Sequence, residues 1–298
     1  MTRSLDQALA VVREVAARHR VEAETLTLSR CHGRVILQDL ASTNVAEAVD
    51  AGPAIRHGGV MTPVRVALAA SLGVPALPVA RRPTVAVFTT GEHHVEPGMP
   101  LALGQAYDSN RELLMGLLRA EGLEPTAWPS LPDDPRQIEI ALRDAGCAFD
   151  LVVVCESTRS SAGGFVAGVL DQFGEVHLRD VRSAFGSPVQ FGSLDQARVL
   201  GLPDDPIALA AAWLTLGRAL VDGLQGRIEP RRGLRARLAC PIAPVERQGI
   251  FVPAWIEVAD GGLWVHPRVT GLAEANALIV MPQSRSPPAS TPVDVIPL

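Results

Sequence analysis

The chain has 298 residues, room for one large domain or two to three smaller ones. Hydrophobic residues make up 47% of it and aromatic residues 4%, so the core must be aliphatic. The net charge of −5 argues against a general nucleic-acid binder, which needs a basic face, and since all 27 Lys+Arg residues are arginine, any mechanism needing a lysine ammonium is excluded.

In chain order, Ser4 and Gln7 form a capping-box pattern at the start of a helix, with Leu5, Leu9, Val12, Val15 and Ala16 on one face. Residues 24–28 alternate like a short strand, and 33–37 read as the end of a second short helix. Residues 41–59 have little periodicity and read as a connection. Thr62-Pro63 starts another helix, as a cap followed by proline at the first helical position.

The middle of the chain alternates β-branched runs with amphipathic helices, which predicts βα units and a parallel sheet over residues 83–224. Strands are expected at 84–88, 150–154 and 198–202. Ser109 to Glu112 reads as a capping box for a helix that turns Leu113, Leu114, Leu117 and Leu118 inward. Asp134-Pro135 caps the next helix, a further helix spans about 164–173, and Asp205-Pro206 caps a helix to about 224. This last helix is apolar nearly all round and is assigned to the core. From residue 226 onward Pro and Gly are frequent. Short apolar runs at 234–238, 250–258, 263–265, 277–280 and 293–298 predict a small antiparallel β domain.

Cys31, Cys147, Cys155 and Cys240 lack metal-ligand spacing and read as reduced thiols. No signal-peptide pattern precedes the first helix, no apolar run reaches bilayer-spanning length, and a cytoplasmic protein without membrane contact is expected. In an open parallel sheet, ligands bind beyond the carboxyl ends of the strands. The loops there are polar and Gly/Ser-rich, suited to a small anion. They comprise Thr89-Thr90-Gly91-Glu92, Asp108-Ser109-Asn110, Asp133-Asp134-Pro135, the stretch from Cys155 through Ser157, Arg159 and Ser160 to Gly164, Phe185-Gly186-Ser187-Pro188, and Pro203-Asp204-Asp205-Pro206. Helix capping suffices to explain Asp134, Ser109 and Asp205, while Asp108 and Asp133 are not needed as caps. The run Glu92-His93-His94-Val95-Glu96 reads as solvated surface in preference to a metal site.

The order of these loops, TTGEH, GQAYDSN, LPDDP, a Gly/Ser loop, FGSP and GLPDDP, resembles the molybdopterin molybdenumtransferase family. SLDQALAVV with CHGRVILQDL, GVMTPVRVALAASLGV, and GLAEANALIVMP extend the resemblance nearly end to end. It implies an α/β fold with a central parallel-sheet molybdopterin-binding-like domain at 80–225, an N-terminal α+β segment at 1–79 and a small C-terminal β domain at 226–298. The family's inserted small domain is missing near 41–58. The resemblance also implies molybdenum cofactor biosynthesis, a homodimer, and an anionic pterin ligand, molybdopterin or its adenylylated form. Substrate contacts would come from Thr90, Gly91 and Glu92; from Asp108, Ser109 and Asn110; from Ser157 and Ser160; and from Gly186, Ser187, Pro203 and Asp205. Asp133 and Asp134 would be the catalytic carboxylates, and Glu92 and Asp205 would hold Mg²⁺.

This chain departs from the family pattern in its loops. The family's Gly-Gly-x-Ser-x-Gly-x-x-Asp loop is Glu156 to Gly164 here, with Gly164 in the acidic position. Both lysines of its Lys-Pro-Gly-Lys-Pro loop are absent from 184–188, and Asp204 replaces a glycine. Losing two charge-assisted contacts, each worth roughly 1.5–3 kcal/mol, weakens an anion site unless Arg159 or Arg182 compensates. Three readings therefore stay open: a molybdate-inserting enzyme, a non-catalytic molybdopterin-binding or scaffold homologue, and a remodelled nucleotide or pterin binder.

Overall fold

The structure, a computed structural model, describes residues 4–41, 55–91, 93–156, 164–242, 250–259, 261–268, 271–281 and 287–298. The chain forms two compact units. One comprises Val12–Pro83 with Arg218–Arg231; the other comprises Met1–Val11, Thr84–Gly217 and Arg232–Leu298.

Helix α1, Leu5–Ala17, starts at the expected capping box: Ser4 N–H donates to Gln7 Oε1 at 3.0 Å and Gln7 N–H to Ser4 Oγ at 3.3 Å. Strand β1, Ala23–Thr27, is followed by helix α2, Pro63–Ser71, and by β2, Ala76–Ala80, which pairs antiparallel with β1. The Thr62 hydroxyl caps α2 as expected. Residues 33–37 are not helical. Val35 and Ile36 bridge to Val60 and Val79, because the neighbouring extended segments satisfy their backbone groups. Leu26, Ile36, Ile55, Met61, Leu77 and Val79 form the core here.

The unit that contains Thr84–Gly217 resumes with β3, Val85–Thr89, and two short strands, β4 at His94–Val95 and β5 at Ala106–Tyr107. Helix α3, Ser109–Ala120, strand β6, Pro125–Ala127, helix α4, Pro135–Ala148, and strand β7, Leu151–Glu156, follow. Then come α5, Phe165–Phe173, β8, Glu175–Leu178, the short α6, Arg182–Phe185, β9, Gln190–Leu194, and β10, Ala197–Pro203. The sheet order is β6-β3-β7-β10-β9-β8. The first four strands are parallel, as expected, and β9 and β8 add an antiparallel hairpin edge that the sequence rhythm does not announce.

Strands β3 and β7 are buried on both faces. Ala86, Phe88, Val152 and Val154 pack with Ile138 and Leu142 of α4 and Val166 and Leu170 of α5. Helix α3 contacts β3 and the helix that follows β10, completing the other layer. That helix runs from Pro206 to Leu224 as α7, Pro206–Ala212, a π-turn at Trp213–Gly217, and α8, Arg218–Leu224. By length and composition alone it could cross a membrane, but 67% of its most apolar stretch is buried within the protein, in keeping with the core assignment. At the π-turn, Gly217 gives the Trp213 indole its room, since a Cβ there would sit 2.3 Å from the ring.

The C-terminal part is a closed barrel of β11, Leu234–Leu238, β12, Phe251–Ala259, β13, Gly262–Pro267, β14, Ala277–Val280, and β15, Pro292–Pro297. Each strand falls on an expected apolar run. One pairing departs from the antiparallel expectation: β11 runs parallel to β13, and this contact together with β11–β15 closes the ring.

Candidate functional site

Strand β3 delivers Thr89 to the carboxyl edge of the sheet, and α3 brings Asp108 against it. Asp108 is 2% exposed and caps α3: its Oδ1 accepts the Arg111 N–H at 3.1 Å and its Oδ2 accepts the Thr89 hydroxyl at 2.7 Å. The cap is therefore Asp108, one residue before the expected Ser109, which is the exposed first residue of the helix. Arg111 donates through Nη2 to Thr89 Oγ1 at 3.3 Å and sits 3.5 Å from Asp108 and 3.7 Å from Glu96. A guanidinium is thus fixed by groups from β3, from the α3 cap and from the loop after β4. It borders a cleft of about 350 Å³ lined also by His94, Ala127, Trp128, Pro129 and Ser130. Trp128 stacks on Phe88 with centroids 5.1 Å apart, and its indole N–H is buried without a hydrogen-bond partner among the described residues.

The end of β7 is built differently. Glu156 is 8% exposed, and its Oε1 accepts the Val166 N–H at 2.8 Å at the start of α5. Burial pushes this carboxyl group up to about 7, against the pull of the Val166 and Phe165 N–H groups. Beside it, Cys155 is buried and its Sγ donates to the Pro203 carbonyl at 3.6 Å. Its thiol is raised by burial and by the nearby Asp108, Asp204 and Glu156 carboxylates, so it stays protonated and is a poor nucleophile.

The remaining expected residues divide. Thr90 and Gly91 are buried in the backbone ladder, with Thr90 N–H on Cys155 O and Gly91 N–H on Leu131 O. Asn110 is 7% exposed and donates to the Asp204 carbonyl at 2.6 Å, tying α3 to the end of β10. Pro203 ends β10 opposite Glu156. Gly186 and Ser187 are half-buried after α6. Asp134 and Asp205 are helix caps, as expected: Asp134 accepts the Arg136 and Gln137 N–H groups and the Gln137 amide, and Asp205 accepts the Ala208 N–H at 2.8 Å. These bonds, the Gln137 amide first, hold the Asp134 carboxyl below its usual range. Asp133 keeps one buried carboxylate oxygen without a hydrogen-bond partner among the described residues. Glu92, Ser157, Arg159, Ser160 and the Arg182 side chain lie outside the described residues.

Of the expected residues that the structure describes, only Asp108 lines the cleft. Arg111, Glu96, His94 and Trp128 were not foreseen as site residues, although His94 and Glu96 belong to the run read as solvated surface. Among the described residues, no group of three or more His, Cys, Asp or Glu side chains is arranged to hold a metal ion. Of the two carboxylates expected to hold Mg²⁺, Asp205 caps α7 and Glu92 lies outside the described residues.

Residues 86–222, which contain the cleft and Glu156, match the family described as a probable molybdopterin binding domain. A molybdopterin molybdenumtransferase of Haemophilus influenzae is 31% identical over 210 residues, covering 68% of this chain and 52% of its own length. Molybdopterin molybdenumtransferase 2 of Mycobacterium tuberculosis is 30% identical over 253 residues, covering 80% of this chain and 62% of its own length. The chain is a relative of the molybdopterin molybdenumtransferases. It spans only about half to three-fifths of the length of these proteins. The fold agrees with two solved structures. A molybdopterin biosynthesis MoeA protein of Pyrococcus horikosii superposes with a TM-score of 0.77 at 18% identity, covering 100% of this chain and 99% of that one. A molybdenum cofactor biosynthesis protein of Pyrococcus furiosus gives 0.73 at 21% identity, covering 100% of both.

Proposed function

We propose that this chain serves molybdenum cofactor biosynthesis by binding a molybdopterin-type ligand, in free or adenylylated form, in the cleft at the ends of β3 and β6. The observation that carries the reading is Arg111. Three groups hold its guanidinium in place, 14% exposed, at a cleft large enough to enclose part of a pterin. We further read the protein as binding this ligand without molybdate insertion. The chain contains no lysine, Asp204 adds a carboxylate at the same edge, and two of the four carboxylates expected to act, Asp134 and Asp205, are engaged in capping. The homodimer, the cytoplasmic location, the division into 1–79, 80–225 and 226–298, and the missing inserted domain belong to the same proposal.

Calorimetric titration with molybdopterin and with its adenylylated form, with and without Mg²⁺ and molybdate, tests it. We expect saturable binding, weakened about tenfold or more by Arg111→Met, as loss of one charge-assisted contact predicts, and no release of AMP. Binding of neither form would sink the reading. AMP release on adding molybdate would overturn its non-catalytic half. Sedimentation tests the dimer.

A further inference from the structure

The N-terminus of α5 stands at the carboxyl end of β7, where an open parallel sheet ordinarily receives an anionic group of its ligand. In this chain the position is already filled from within. Glu156, the last residue of β7, is 8% exposed, and its Oε1 accepts the Val166 N–H at 2.8 Å. The Phe165 N–H points to the same carboxylate.

The surroundings are fitted to that side chain. A Cβ on Gly164 would come within 2.7 Å of Glu156 Oε2 and 2.6 Å of the Gln190 amide nitrogen, so the residue entering the helix must be glycine. Its φ of +76° also suits glycine alone. Gln190, 4% exposed, brings its neutral amide to the same point from β9. Glycine entry, two helix N–H groups and a buried amide thus enclose a carboxylate that belongs to the chain.

We propose that Glu156 is a resident anion that occupies the N-terminus of α5, excludes the phosphate of any ligand from it, and so leaves anion recognition at this edge to the Arg111 cleft. Glu156 is then a specificity-determining residue: it sets which part of the edge a phosphorylated ligand can use. The inference builds on the reading of this edge as the ligand face. Its test uses inorganic pyrophosphate and reads the α5 amides, so it can fail independently of pterin binding.

The experiment is amide NMR of the full chain at a pH of about 8, where the carboxyl group is mainly ionised. Pyrophosphate is titrated into the wild type, Glu156→Ala and Glu156→Gln. The alanine variant vacates the helix end, whereas glutamine removes the charge and keeps the shape should alanine fail to fold. In the wild type the Phe165 and Val166 signals should not move. They should move saturably in both variants, tightest in Glu156→Ala, by about tenfold or more over any residual wild-type response. Saturable movement in the wild type would overturn the proposal. So would a folded variant, alanine or glutamine, whose Phe165 and Val166 amides ignore pyrophosphate.

Discussion

Two opposed influences act on the proton of Glu156. The Val166 and Phe165 N–H groups favour its carboxylate, while burial favours the neutral acid, and burial wins, taking the group from 4.5 to about 7. Between those values the folded chain holds more proton than the unfolded chain does. Linkage then makes stability fall as pH rises through this window, and the penalty is fully developed above pH 7. At roughly 1.4 kcal/mol per pH unit, a shift of this size corresponds to about 3 kcal/mol. Glu156→Gln removes the titration and keeps the volume. Urea unfolding at a series of pH values should therefore show the variant gaining on the wild type by about that amount between pH 4.5 and 7. A parallel pair of curves would show that burial does not outweigh the two N–H bonds. Nothing in the sequence marks Glu156, because its role depends on α5 returning to the end of β7. Arg111 is equally unmarked, sitting in an Asp-Ser-Asn-Arg run whose nearer reading is helix capping.

Helix starts are legible because their signals are local. Ser4 with Gln7, Thr62, Asp134 and Asp205 all cap where their spacing predicts, since the bond reaches only two or three residues along the chain. The start of α3 differs because a tertiary contact selects between two capable neighbours. Asp108 reaches both Arg111 N–H and the Thr89 hydroxyl, which Ser109 is not positioned to do. Asp108→Ala should accordingly cost about 1 kcal/mol for the cap and a comparable amount for the stranded Thr89 hydroxyl, about 2 kcal/mol together. Urea unfolding with an unchanged m-value measures it, and Asp108→Asn, which keeps an acceptor oxygen, should recover part of the loss. A loss confined to a few tenths would show that water replaces the carboxylate. The β8–β9 edge was illegible for the opposite reason. Its strands are short and β8 is bulged between Val176 and Leu178, so local alternation is too weak to announce them.

Over the whole chain, aliphatic composition and periodicity announced the layers well, while topology depended on contacts far apart in sequence. The five barrel strands follow the apolar runs, yet closure requires β15 to pair with both β11 and β14, and no local signal fixes that. Val293 and Val295, each 4% exposed, also supply part of the barrel core. That core, with Leu238, Ala254, Val265 and Ile279, shares no residue with the cluster of Phe88, Ile138, Val152 and Val199 that holds the sheet. Ending the chain before Pro292 therefore strips the barrel of two core side chains and leaves β11 and β14 with open edges. Hydrogen exchange followed by peptide should show protection collapsing across 234–281. The amides of β3, β7 and β10 should stay protected, because the ladders that hold them are intact. Uniform loss across both regions would mean that the contacts joining them, the Phe185–Phe251 stack and the Ile250 N–H to Ala184 carbonyl bond, couple barrel and sheet into a single cooperative unit.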